Sequence, residues 1–235
     1  MAGNTYTQGA GTSESRVAIA HNGGSATLTG GVYCLTESHS GTATTVTFHD
    51  ATAEYAAECG IGMATYIVEG SSAISAQRLI LSQGAAGRTA AMTVKDTASV
   101  NVTGTSDVDS NTASIMFGHY NGPSTFTIQD SATFTAASQV LVGKTANNHT
   151  ININGGTFTA RGIKTASGAS GTNVLNINGG LLVLGDVGIT SYGSTSISVN
   201  VLDDSEIRSS AATLPIVKFK ERKTSFHSLL EAFSA

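Results

Sequence analysis

The sequence predicts an all-β protein of the parallel β-helix type, a β-solenoid with three short strands per coil and about seven coils. Three observations predict it. Apolar residues alternate with Thr, Ser and Asn in run after run. Gly, Asn-Gly or Asp corners separate the runs. The unit of strand, corner and strand recurs at a steady interval in the later chain. Alternation sends every second side chain to one side of a strand. A unit too short to bury its own apolar side can do so only against copies of itself.

Taken in order, residues 1–24 are polar and Gly-rich and read as a lead-in or partial first coil. The β-helix is expected over residues 25–213. "SATLTGGVYCL" from Ser25 is a poor first copy. Better ones follow: "TVTFHDATAEY" from Thr45, "TYIVEGSSAIS" from Thr65, "AMTVKDTASVNV" from Ala91 and "TFTIQDSATFTA" from Thr125. "TININGGTFTA" from Thr150, "VLNINGGLLVL" from Val174 and "SISVNVLDDSEI" from Ser196 complete the series. Corner residues fall at Asp50, Gly70, Asp96, Asp130, Gly155, Gly179 and Asp203, separated by 20, 26, 34, 25, 24 and 24 residues. A third apolar piece lies between corners, as in "RLIL" from Arg78, "SIMFG" from Ser114 and "QVLVG" from Gln139. Phe126, Ile128, Phe134, Ile151, Ile153 and Phe158 are the expected core. Gly, Asn and Asp suit corners that need positive φ. An antiparallel sandwich is the competing arrangement, but it would not make corners and third strands recur together.

The 34-residue interval carries extra sequence near "TGTSDVDSNTAS", Thr103 to Ser114, expected to leave the coil as a surface loop. Residues 214–235 hold a final strand, "LPIV", and then a change of period. Phe226, Leu229, Leu230 and Phe233 fall at helical spacing behind Ser225 as N-cap. A short C-terminal helix laid over the last coil would block its open edge.

Composition narrows the function classes. Charged residues make up 12% of the 235, where about a quarter is ordinary. The net charge of −4 and the short, mixed "KFKERK" run offer no surface for nucleic acid. No apolar run reaches the roughly 20 residues of a membrane helix, so no transmembrane segment is expected. No signal-peptide pattern is visible.

Candidate chemistry is sparse. Thr133 with Thr135 and Thr157 with Thr159 form Thr-x-Thr pairs in neighbouring coils, a patch of stacked hydroxyls able to meet a ligand. Asp107 and Asp109 in the inserted loop could offer carboxylates to Ca²⁺, although calcium takes six or more oxygens. The adjacent Asp203 and Asp204, with Arg161 and Lys164, suggest fragments of a polysaccharide-cleaving site, but neighbours on a strand face opposite sides. The histidines show no paired metal spacing. No metal site, cofactor or catalytic residue is assigned. Cys34 and Cys59 lie 25 residues apart, about one coil; they fit either a disulfide in an oxidising compartment or two buried free thiols.

The phrases "TFTIQDSATFTAASQVLVG" and "TININGGTFTA" resemble the repeats of bacterial autotransporter passengers and related surface adhesins. The resemblance covers roughly residues 25–213 and implies a right-handed parallel β-helix working outside the cell or on its surface. The chain departs from that family in showing no export signal and no membrane-barrel translocator strands. The expected function is therefore structural and adhesive: a non-enzymatic surface or secreted module binding a glycan or protein partner, with end-to-end self-association as a further expectation. The alternative is a polysaccharide lyase or glycoside hydrolase on the same scaffold.

Overall fold

The computed structural model describes residues 22–35, 42–82, 89–107, 113–119, 122–144, 148–167, 171–192, 195–202 and 204–211. The expected C-terminal helix and most of the lead-in lie outside the described residues. What is described is a parallel β-solenoid of about 7 turns, without a helix among the described residues.

The first described rung holds β1 (Asn22–Thr29) and β2 (Val32–Leu35). The second holds β3 (Thr42–His49), β4 (Thr52–Tyr55) and β5 (Glu58–Ile61). The third holds β6 (Ala64–Glu69), β7 (Ala73–Ala76) and β8 (Arg78–Leu81); the fourth holds β9 (Ala90–Val94), β10 (Ser99–Val102) and β11 (Ile115–Phe117). In the fifth, β12 (Ser124–Ala136) rounds one corner unbroken and β13 (Gln139–Val142) follows. The sixth rung is a single bent strand, β14 (Thr150–Thr165). Then come β15 (Thr172–Asn178) with β16 (Leu181–Thr190), and β17 (Ser196–Leu202) with β18 (Glu206–Ser209).

Each rung pairs in parallel with its neighbours, and the pairings sort into three faces. The first face stacks β1, β3, β6, β9, β12, β14, β15 and β17. The second stacks β2, β4, β7, β10, then the later parts of β12, β14 and β16, and β18. The third stacks β5, β8, β11, β13 and the ends of β14 and β16.

Inward side chains meet their equivalents one strand spacing away, about 4.8 Å. Phe126 pairs with Ile151, and Phe134 with Phe158. All six residues expected in the core are at most 2% exposed. Phe126 is a junction, with ring centroids 5.0 Å from Phe117, 5.0 Å from Phe134 and 6.0 Å from Phe158. Such pairs add about 1 kcal/mol each beyond the area they bury.

The corners behave as their composition requires. Asp50, Gly70, Asp96, Asp130, Gly155 and Gly179 all have positive φ, between 50° and 98°. The left-handed region costs a non-Gly residue about 1–2 kcal/mol. The Asp side chains offset that cost by tying rungs together. Asp50 accepts from the Ser71 amide at 2.8 Å and its hydroxyl at 3.0 Å. Asp96 accepts from the Gly70 amide at 2.8 Å, and Asp130 from the Asp96 amide at 3.2 Å.

The inserted segment is described at its two ends, residues 103–107 and 113–114. Its described ends do not leave the coil; they lie back on the third face. Ala113 joins Ile80, Met116 and Leu141 in a small satellite core. Those three side chains sit in the outward column of the third face, one per rung. Ser114 donates its amide to the Ser106 carbonyl at 3.0 Å, and the Ser106 amide donates to Ser114 Oγ at 2.9 Å. A column of apolar residues on the outside of a coil needs a cover, and part of the extra sequence supplies one.

Candidate functional site

The parallel register brings the four expected threonines together. Thr133 pairs with Thr157 and Thr135 with Thr159, all on the outside of the second face. Ser99 and Asn101 extend the two columns on one side. Leu181 and Val183 end the hydroxyls on the other. The block is two rungs deep because only those two rungs carry Thr at both outward positions.

Beside this block runs a shallow open trench at the corner between the second and third faces. Ala137, Arg161, Gly185 and Ser210 take the same corner place in four successive rungs. The outward column Thr159, Val183 and Arg208 forms one wall, with Ala136, Ala160 and Leu184 beneath. Gly185 keeps the trench clear, since a Cβ there would lie 3.2 Å from the Arg161 backbone.

Ion pairs surround the trench. Arg161 grips Asp186 with two nitrogens, Nε at 2.7 Å and Nη2 at 2.8 Å, and gives Nη1 to Asp107. This fork is the strong geometry for a guanidinium–carboxylate pair. It raises the Arg161 pKa further and holds the Asp186 carboxyl below its usual 3.8. Arg208 holds Glu206 in the same way, at 2.6 and 3.0 Å.

Asp107 is therefore used internally. Besides Arg161, it accepts the Gln139 amide through Oδ1 at 2.6 Å, and its carbonyl accepts Gln139 Nε2 at 2.6 Å. It pins the inserted segment to the third face. Asp109, its expected partner for calcium, lies outside the described residues, as does Asp203. Asp204 falls in the turn between β17 and β18. Lys164 stands in an outward column of the third face, opposite Leu141. Among the described residues, no three or more His, Cys, Asp or Glu side chains are grouped to hold a metal.

Cys34 and Cys59 do not form the considered disulfide; both are free and buried. Cys34 pairs in register with Glu54 on the second face and Cys59 with Leu79 on the third. A 25-residue separation is about one coil only where the period is 25, and here it is shorter. Burial pushes the Cys59 thiol up to about 12, which removes its reactivity at neutral pH.

A Ser–His contact occurs where the chain enters the first face. Ser124 Oγ lies 3.0 Å from His149 Nδ1. The Ser124 amide also points at that nitrogen, 3.1 Å away, so Nδ1 is an acceptor and the ring proton sits on Nε2. Ser124 is 2% exposed and His149 is 0% exposed. The ring packs against Gly118, where a Cβ would come within 2.0 Å of it. This pair fills a corner rather than facing a substrate. His49 is exposed and bound to Glu69; His21, His39 and His227 lie outside the described residues.

Sequence reasoning missed two surface ladders on the first face. Asn200 Nδ2 donates to Asn176 Oδ1 at 2.8 Å, Asn176 to Asn152 at 2.8 Å, and Asn152 to Thr127 Oγ1 at 3.3 Å. The recurring "NIN" carried that signal. In the same face, Glu69 bridges His49 at 3.0 Å and Lys95 at 2.8 Å, one partner in each neighbouring rung. Lys95 and then His49 hold the Glu69 carboxyl below its usual range.

No protein-family model, curated protein or solved structure matches the chain.

Proposed function

We propose that this chain is a non-enzymatic β-solenoid binding module, an adhesin-like surface or secreted element that presents its second face to a glycan or protein partner. The observation that carries this reading is the in-register Thr133, Thr135, Thr157 and Thr159 block lying against the axial trench. Stacked strands hold these hydroxyls in place before any ligand arrives, which lowers the ordering cost of binding. A trench following the solenoid axis suits an extended chain better than a compact molecule.

One observation favours the rival reading, a carbohydrate-active enzyme: Arg161 stands beside two carboxylates at the trench. The charge state argues against Asp186 as the general acid of such an enzyme. A general acid must be protonated near its working pH, whereas Arg161 drives Asp186 the opposite way. Screening the purified chain on a glycan array, together with a reducing-sugar release assay, separates the two. Binding without release is expected. Sustained sugar release that stops in an Asp186→Asn variant overturns the binding reading in favour of the enzyme.

A further inference from the structure

We propose that the trench takes a neutral sugar chain rich in vicinal hydroxyls, lying along the solenoid axis, rather than an acidic one. The inference rests on the binding reading above and deepens it.

Two arginines, Arg161 and Arg208, line the trench, which at first sight suits a uronate or sulfate. Both are already neutralised. Arg161 spends Nε, Nη1 and Nη2 on Asp186 and Asp107. Arg208 faces Glu206. Three carboxylates thus stand against two guanidinium groups, and an incoming anion would meet more negative than positive charge. Recruiting Arg161 would mean breaking a fork and leaving Asp107, 23% exposed, without its cation.

Hydrogen-bonding capacity remains once the charges cancel. Arg208 uses Nε and Nη2 for Glu206, and its Nη1 amino group makes no hydrogen bond to the described residues. Thr159 and Ser210 line the same trench, and their hydroxyls make no hydrogen bonds to the described residues. These groups are one donor centre and two hydroxyls that both give and accept. Ala136, Ala160, Val183 and Leu184 between them offer an apolar floor for the C–H faces of sugar rings. Hydroxyls that alternate with C–H surface along a linear polymer match this order of groups over four rungs. A neutral occupant also suits the adjoining Thr block, which carries no charge.

Isothermal titration of the purified chain against neutral, uronate and sulfated oligosaccharides of equal length, at low and high ionic strength, tests the proposal. A neutral oligosaccharide is expected to bind, with affinity changing less than about twofold between the two salts, because no ion pair with ligand forms. Arg208→Ala and Thr159→Val are each expected to weaken binding by about tenfold. Arg208→Lys, which keeps the charge but loses the planar fork, is expected to weaken it similarly. Thermal melts matching the parent chain would show that the variants fold. Tighter, strongly salt-dependent binding of the uronate or sulfated chains overturns the proposal while leaving the binding reading standing. So does neutral binding that Arg208→Ala and Thr159→Val leave unchanged. Failure of every glycan to bind overturns this proposal and the glycan arm of the broader reading together.

Discussion

The residues that bend the chain set a sharp test of the fold. Gly156 and Gly179 both have positive φ, at 64° and 70°. A Cβ on Gly179 would meet nothing within 4 Å, while one on Gly156 would lie 2.3 Å from the Ala132 carbonyl oxygen. Gly179→Ala is expected to cost about 1–2 kcal/mol, the price of the backbone conformation alone. Gly156→Ala should cost clearly more, because backbone must move as well; urea denaturation of the two variants measures the difference. In the core, Phe126→Ala should lose about 3–5 kcal/mol, since three rings lean on that side chain. These roles are legible in the sequence: alternation names Phe126, and Gly or Asp between two alternating runs names the corner. The role of Asp107 is not, because its partner Arg161 lies 54 residues on and only the stacking brings them together.

At the level of the element, stacking turns polar side chains into ladders. Asn176 both donates and accepts, so Asn176→Ala breaks two hydrogen bonds and should cost about 1–3 kcal/mol in a denaturant melt. Glu58 is 2% exposed and meets Arg78 at 2.5 Å, with Arg78 Nε also donating to the Ala113 carbonyl. Removing Arg78 would take the cation from a buried carboxylate, at a cost of about 3–5 kcal/mol. The Asn ladder is readable from a period of 24 residues in the late chain. The Glu58–Arg78 and His49–Glu69–Lys95 contacts are hidden because early rungs advance by 20 and then 26 residues, so no single period aligns their partners. Titration belongs to this scale too. His119 is 7% exposed, and burial first, then Lys144 and Arg78, push its pKa from 6.5 to about 4. A lowered folded value means the unfolded chain binds the proton more tightly. The stability this group contributes is therefore complete above pH 6.5 and lost as pH falls toward about 4. Replacing His119 by Gln should flatten that limb of the stability–pH curve.

For the molecule as a whole, each rung contacts chiefly the rung before and the rung after, so stability is close to a sum of neighbouring interfaces. Deleting residues 155–178, one full turn of 24, joins Asn154 to the corner Gly179 and keeps every later side chain on its own face. The shortened chain is expected to keep its β-type circular dichroism and a cooperative melt, with a smaller denaturant slope. Deleting half that length would put first-face sequence on another face and should abolish folding. The satellite core over the third face adds something that a repeating rod does not have by itself. A plain three-sided prism has no front or back. With Ile80, Met116 and Leu141 sheathed on one side, this one carries a keel next to the trench, so its three flanks are not interchangeable.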